Sequence, residues 1–197
     1  MKKLLLLMLF TFTTIASANE DILSFPFTPD NVNDWRYFSD QVMGGVSEGQ
    51  VSLEQDADKV FIRLSGNVRT DNNGGFIQLR TTTSLSNKPL MFKLLHNSNK
   101  EGKKLKGIRL KVKGNGEKYH IFIQTTIFYR LPTSYKIATF DTSPNWETVD
   151  IPFYKFKKLK DNIDSNIRAK DIKTFGIVAY GRDFKSDLSV SSVEFYY

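Results

Sequence analysis

The stretch Asn72-Asn73-Gly74-Gly75-Phe76-Ile77-Gln78-Leu79-Arg80 joins a tight corner to the start of a strand. Its first half pairs glycines with polar residues, as turns do where the backbone needs positive φ or a close approach that a Cβ would block. Its second half is extended, and on a strand Phe76, Gln78 and Arg80 share one face. A second glycine-pair corner lies upstream in Ser39-Asp40-Gln41-Val42-Met43-Gly44-Gly45-Val46-Ser47. There Asp40 and Ser47 flank the glycines, where a short carboxylate or hydroxyl accepts backbone N–H groups and fixes the loop.

Outward from these corners, alternation dominates. Val60, Ile62 and Leu64 alternate with Phe61 and Arg63, and Ile108, Leu110 and Val112 alternate with Arg109, Lys111 and Lys113. Each reads as a strand with one buried face. The pattern continues through Tyr119 to Gln124, Tyr135 to Thr139, Thr148 to Ile151, Phe175 to Tyr180 and Val190 to Tyr196. Turn signals at Asn72 to Gly75, Gly114-Asn115-Gly116 and Thr142 to Asn145 separate them, which predicts an all-β sandwich or barrel. Helix should be scarce, with short candidates at Tyr154 to Leu159 and Asp164 to Lys170. In such a fold Met43 is expected to plug the adjacent sandwich edge.

Residues 1–18 read as a signal peptide: Lys2 and Lys3 precede an apolar run from Leu4 to Phe12, and Ala16-Ser17-Ala18 forms a small-residue cleavage site. The chain is therefore expected to be exported, periplasmic or secreted, with residues 19–197 forming one domain large enough to bury a core without staples. The chain has no cysteine, which excludes disulfides and a lipid-modified cysteine. Without Lys2 and Lys3 the formal charge falls from +7 to +5, a mild basic bias. No internal repeat or low-complexity tract interrupts the sequence.

Taken together, these segments resemble the complex I intermediate-associated protein 30 family. The likeness is carried by Trp35, the Ser39 to Ser47 segment, Gly66, and the Asn73-Gly74-Gly75-Phe76 turn ending in Arg80. It continues through Gly107 to Gly114 with Tyr119, then Trp146, Ile151-Pro152-Phe153, Phe156 and Phe175-Gly176-Ile177. The resemblance implies a galactose-binding-like β-sandwich (jelly roll). It also implies a non-enzymatic assembly-factor or chaperone-like role with a protein partner; the fold's similarity to sugar-binding sandwiches implies the alternative, an exported carbohydrate-binding module.

The residues themselves suggest two layers of function. Asp40, Met43, Gly44, Gly45, Ser47, Gly74 and Gly75 read as loop scaffold. Asn73, Phe76, Gln78 and Arg80, with His120, Phe122 and Gln124 as a second polar and aromatic row, are the candidate ligand-binding residues, since rings stack on sugar C–H groups while amides and guanidinium groups reach hydroxyls. The competing expectation for Arg80 is an ion pair with Asp40 that holds the two loops together. Trp35 and Phe153 are expected in the core, and Trp146 is open between core and ligand contact.

Chemistry has little to work with. His96 and His120 lie in no catalytic or zinc spacing, and a carboxylate pair for glycoside hydrolysis would have to come from Asp40, Glu48, Glu147 and Asp150, whose separations a sequence does not give. No catalytic residue, metal ligand or cofactor is assigned; a structural calcium ion suits sandwiches of this type, but no EF-hand-like ligand run supports it. Lys155, Lys157, Lys158 and Lys160 form a basic run that suits an anionic membrane surface or, equally, a solvated loop. No nucleic-acid-binding module is visible. N-terminal sequencing of protein recovered from the exported fraction should begin at Asn19; recovery of an intact Met1 would sink the leader reading.

Overall fold

Alternating side chains do become strands along most of the chain. The computed structural model describes residues 22–83, 88–97, 104–125, 135–158 and 167–197. In chain order the strands are β1 (Ile22–Pro26), β2 (Arg36–Ser39), β3 (Glu48–Asp56), β4 (Lys59–Val68), β5 (Phe76–Thr82) and β6 (Gly107–Gly114). They continue with β7 (Tyr119–Gln124), β8 (Tyr135–Phe140), β9 (Glu147–Pro152), β10 (Lys157–Lys158), β11 (Thr174–Tyr180) and β12 (Phe184–Tyr196). Among the described residues one α-helix, α1 (Leu90–Asn97), joins them.

Two antiparallel six-stranded sheets result. The first runs β3-β4-β12-β6-β9, and the second runs β10-β8-β7-β11-β5-β2. The long strand β12 organises the first sheet. Its first half pairs with β4 and its second half with β1, while β6 follows the other side with a register shift between Val190 and Ser192. Between the sheets lie Ile62, Leu64, Ile108, Leu110, Leu188, Val193 and Phe195 from one side and Ile77, Leu79, Ile121, Ile123, Phe175 and Ile177 from the other. Each fully buried large side chain contributes on the order of 2 kcal/mol, so this layer is the main drive to fold. Phe153 is buried as expected, whereas Trp35 is only partly so, closing one end against Phe27 and Phe175.

The helix expectations fare less well. The Tyr154 to Leu159 candidate is a single 3-10 turn at Phe153–Lys155 followed by β10, because Lys157 and Lys158 pair with Ile137 and Lys136 of β8. In the second candidate, Ala169–Asp171 form a 3-10 turn, and residues 164–166 lie outside those described. Helix α1 went unforeseen: in eight residues its apolar stripe of Met91, Phe92 and Leu95 is too short to establish a helical period. Residues 1–18, Leu159 and Lys160 also lie outside the described residues.

Both glycine corners converge on Asp40. Its carboxylate is 0% exposed and accepts four hydrogen bonds: from the Ser47 N–H at 2.9 Å, the Ser47 hydroxyl at 2.5 Å, the Gly75 N–H at 2.5 Å and the Phe76 N–H at 3.1 Å. The Ser47 hydroxyl in turn accepts the Arg69 N–H. Gly74 is required by proximity, since a Cβ there would stand 2.5 Å from Asp40 Oδ2; Gly75 is required by conformation, with φ of +118°. The Asn72 amide adds a bond to the Gly44 carbonyl, and the Gly181 N–H bonds to the Gly75 carbonyl. A buried ion thus welds the loop after β2 to the β4–β5 turn.

Burial by itself would raise the Asp40 pKa, but the bonds from Gly75, Ser47 and Phe76 outweigh it and hold the carboxyl below its ordinary value. A pKa lower in the folded than in the unfolded state means that the ion stabilises the fold above the unfolded value of ~3.9, and that this contribution is lost as pH falls through the folded value. Asp40→Asn should therefore cost about 3 kcal/mol in urea unfolding at pH 7. The gap between variant and wild type should narrow at acid pH; an equal gap at both pH values would show that the carboxylate charge is not what matters.

Candidate ligand-binding groove

The second sheet turns its outer face to solvent, and the register lines up that face in rows. Arg36, Arg80, Gly176, Phe122 and Ile137 form one row across β2, β5, β11, β7 and β8. Phe38, Gln78, Val178, His120 and Thr139 form the next, and Phe76 opposite Tyr180 begins a third. Gly176 offers no side chain between Arg80 and Phe122, so the row dips where its neighbours stand up. A groove of about 480 Å³ occupies this face.

Five rings line it: Phe38, Phe76, Phe122, Tyr135 and Tyr180. Phe122 meets Tyr135 and Tyr180 at centroid distances of 5.3 and 5.4 Å, so each ring is braced by another. The polar members are Asn73, Gln78 and Arg80. The Arg80 guanidinium sits 4.0 Å above the Phe38 ring, a cation–π contact that fixes its direction. Two polar atoms of this floor are buried with no hydrogen-bond partner: Gln78 Oε1, an acceptor, and Arg80 Nε, a donor. Buried polar groups are normally paired, so these two atoms, on residues that line the groove, are a local deficit.

Of the residues expected to bind, Asn73, Phe76, Gln78, Arg80 and Phe122 all line the groove. His120 lies on the same face beside the groove without lining it, packed edge-on to Phe122 and Tyr180, with Nδ1 3.0 Å from the Thr139 hydroxyl. Burial, reinforced by the Arg182 charge and opposed by the Tyr180 backbone, pushes its pKa below the ordinary histidine value, so it is neutral at pH 7. Gln124 does not reach the groove: it is buried and accepts the Thr174 hydroxyl at 3.0 Å.

Two expectations are corrected. Arg80 does not pair with Asp40, because the acid's oxygens are taken by Ser47 and the backbone of Gly75 and Phe76. Met43 does not plug the sandwich edge; it is 63% exposed and, with Val42 at 71%, lines one end of the groove. The 3-10 turn Asp40–Met43 swings both outward, since burying Asp40 at its start commits the inward side to the carboxylate. Tyr180, Tyr135, Phe38 and Val178 were missed, and only strand register could have put them beside Phe76.

The other sheet presents a different surface. On it Arg63 forks onto Asp187 at 2.8 and 2.7 Å, Arg109 onto Asp150 at 2.6 and 3.0 Å, and Lys111 meets Glu194 at 3.3 Å. Trp146 lies here against Phe61, with the Lys59 ammonium 4.4 Å over its ring, so it belongs neither to the core nor to the groove. The carboxylates considered for hydrolysis scatter: Glu48 is on β3 and Glu147 and Asp150 on β9, at opposite edges of this sheet, while Asp40 is consumed in its corner. His96 anchors α1 by its Nε2, 3.0 Å from the Ile172 carbonyl. Among the described residues, no group of three or more His, Asp or Glu side chains comes together, and no helix is long and apolar enough to cross a membrane. Lys155 and Lys157 are exposed beside β8 at the far margin of the second sheet.

Solved structures share this architecture. The Family 11 carbohydrate-binding module of the cellulosomal cellulase Lic26A-Cel5E of Clostridium thermocellum superposes with a TM-score of 0.60 at 13% identity, covering 91% of this chain and 95% of its own. The Clostridium thermocellum module in complex with a β-1,3-1,4-mixed-linked tetrasaccharide gives 0.62 at 14% identity, with 91% and 96% covered. Identity this low speaks for the fold alone, a galactose-binding-like jelly roll. No curated protein matches the chain by sequence. The family model described as Complex I intermediate-associated protein 30 (CIA30) matches residues 25–190, and the chain belongs to that family.

Proposed function

We propose that this protein is a non-enzymatic binding module that holds a carbohydrate chain in the groove of its second sheet. The observation that carries this reading is the pair of unpaired buried atoms, Gln78 Oε1 and Arg80 Nε, set among five aromatic rings. A sugar hydroxyl both donates and accepts, so adjacent hydroxyls can satisfy the two atoms while the ring's C–H face lies on Phe122 or Tyr180. The carbohydrate ligand of a structural neighbour is consistent with this, and the leader-like residues 1–18 support an exported protein that would meet such chains outside the cytoplasm. A second reading, an assembly factor with a protein partner, draws on family membership and on the exposed Val42 and Met43, which would offer a partner apolar anchors.

A glycan array read beside crosslinking from a membrane extract separates the two. Saturable glycan binding should appear, and Phe122→Ala and Tyr180→Ala should each weaken it about tenfold, the worth of one lost stacking surface, without loss of the folded β signal in circular dichroism. A specific protein crosslink with no glycan signal would reverse the order of the two readings.

A further inference from the structure

One arginine lines the groove, and a second is paired with it across the strands just outside. Arg36 of β2 and Arg80 of β5 are direct cross-strand partners, so both side chains leave the same face with Cβ atoms about 5 Å apart. Like charges in that position destabilise a sheet. Elsewhere this protein neutralises its arginines: Arg63 by Asp187, Arg109 by Asp150 and Arg69 by Asp71. Among the described residues neither Arg36 nor Arg80 has an ion pair, and no carboxylate lines the groove. The buried Asp40 is saturated by its own loops.

Arg80 adds a buried donor with no acceptor, and Gln78, only 7% exposed, adds a buried acceptor with no donor. Two arginines at directly paired positions of one face match an anion with paired oxygens, for which their planar forks are suited. The Gln78 oxygen then takes a hydroxyl from the same molecule. Building on the glycan reading of the groove, we infer that the ligand is an acidic glycan, whose carboxylate or sulfate group sits between Arg80 and Arg36 while a neighbouring hydroxyl bonds to Gln78. A neutral chain would leave the arginine pair uncompensated.

Isothermal titration at low salt with polygalacturonate, its carboxyl-reduced neutral derivative, a sulfated galactan and a mixed-linked β-glucan tests this. An acidic polymer should bind about tenfold tighter than the neutral ones, the worth of one charge-assisted hydrogen bond. The carboxylated and sulfated arms show which anion is preferred. Arg36→Gln, at a position outside the ring-lined floor, should abolish that tenfold margin. Lys59→Gln, the same change of charge on the opposite sheet, should leave the margin intact. Equal affinity for native and carboxyl-reduced polymer, with no gain for the sulfated one, would overturn the acidic assignment and leave the groove reading standing. A margin that falls equally with Lys59→Gln would overturn it as mere attraction to a basic protein. Absence of binding to any of the four polymers would overturn the glycan reading and this inference with it.

Discussion

The structure depends on how one buried carboxylate is satisfied. Asp40 lies where a charge is expensive, and it remains ionised because backbone and hydroxyl donors from two sequence-distant loops point at it. That requirement reaches outward into the sequence. Gly45 and Gly74 leave room for the carboxylate, Gly44 and Gly75 take the positive φ that turns the chain around it, and Ser47 carries the bonding on to Arg69. The Thr70 N–H and hydroxyl bind Asp183 beside it, so the β11–β12 turn is tied to the same corner. Packing between the sheets holds the body together, but this ion decides where the loops at one end of the groove stand.

Position of the loops is also position of the site. With the inward side of the Asp40–Met43 turn given over to the acid, Val42 and Met43 face out over the groove, and Asn73 arrives opposite them on the other loop. The scaffold residues and the candidate binding residues are therefore one construction viewed from its two sides. A change at Asp40 would act on ligand affinity through geometry, although the carboxylate itself is sealed from any ligand.

Alternation made the strands legible because each sheet of the sandwich has one wet and one dry face, and a period of two survives even where flanking loops are unremarkable. The glycine corners were legible for the same local reason: a turn's backbone demand is written in the residues that make it. What a single chain of letters lacks is register. Phe76, Gln78 and Arg80 share a face by local geometry, but Tyr180 and Phe38 join them only through pairing with strands far away in sequence. Gln124 shows the converse, lying on the same alternating row as Phe122 yet paired with Thr174 and closed off from the groove. Met43 misled because an exposed methionine and a core methionine look alike until the neighbouring acid's direction is known.

The two outer faces of the sandwich then argue against each other as binding surfaces. On the first sheet, opposite charges are placed within reach, and Arg63, Arg109 and Lys111 each meet an acid, so little is left for a partner to satisfy. The second sheet inverts that pattern of pairing: partly buried rings line a groove, an amide oxygen and a guanidinium nitrogen lack partners, and two arginines occupy paired positions with no ion pair among the described residues. A folded chain gains nothing from unsatisfied groups on one face when the other shows that pairing them was within its means. The part of that deficit that falls in the groove, framed by loops locked around Asp40, is what the proposed ligand would complete.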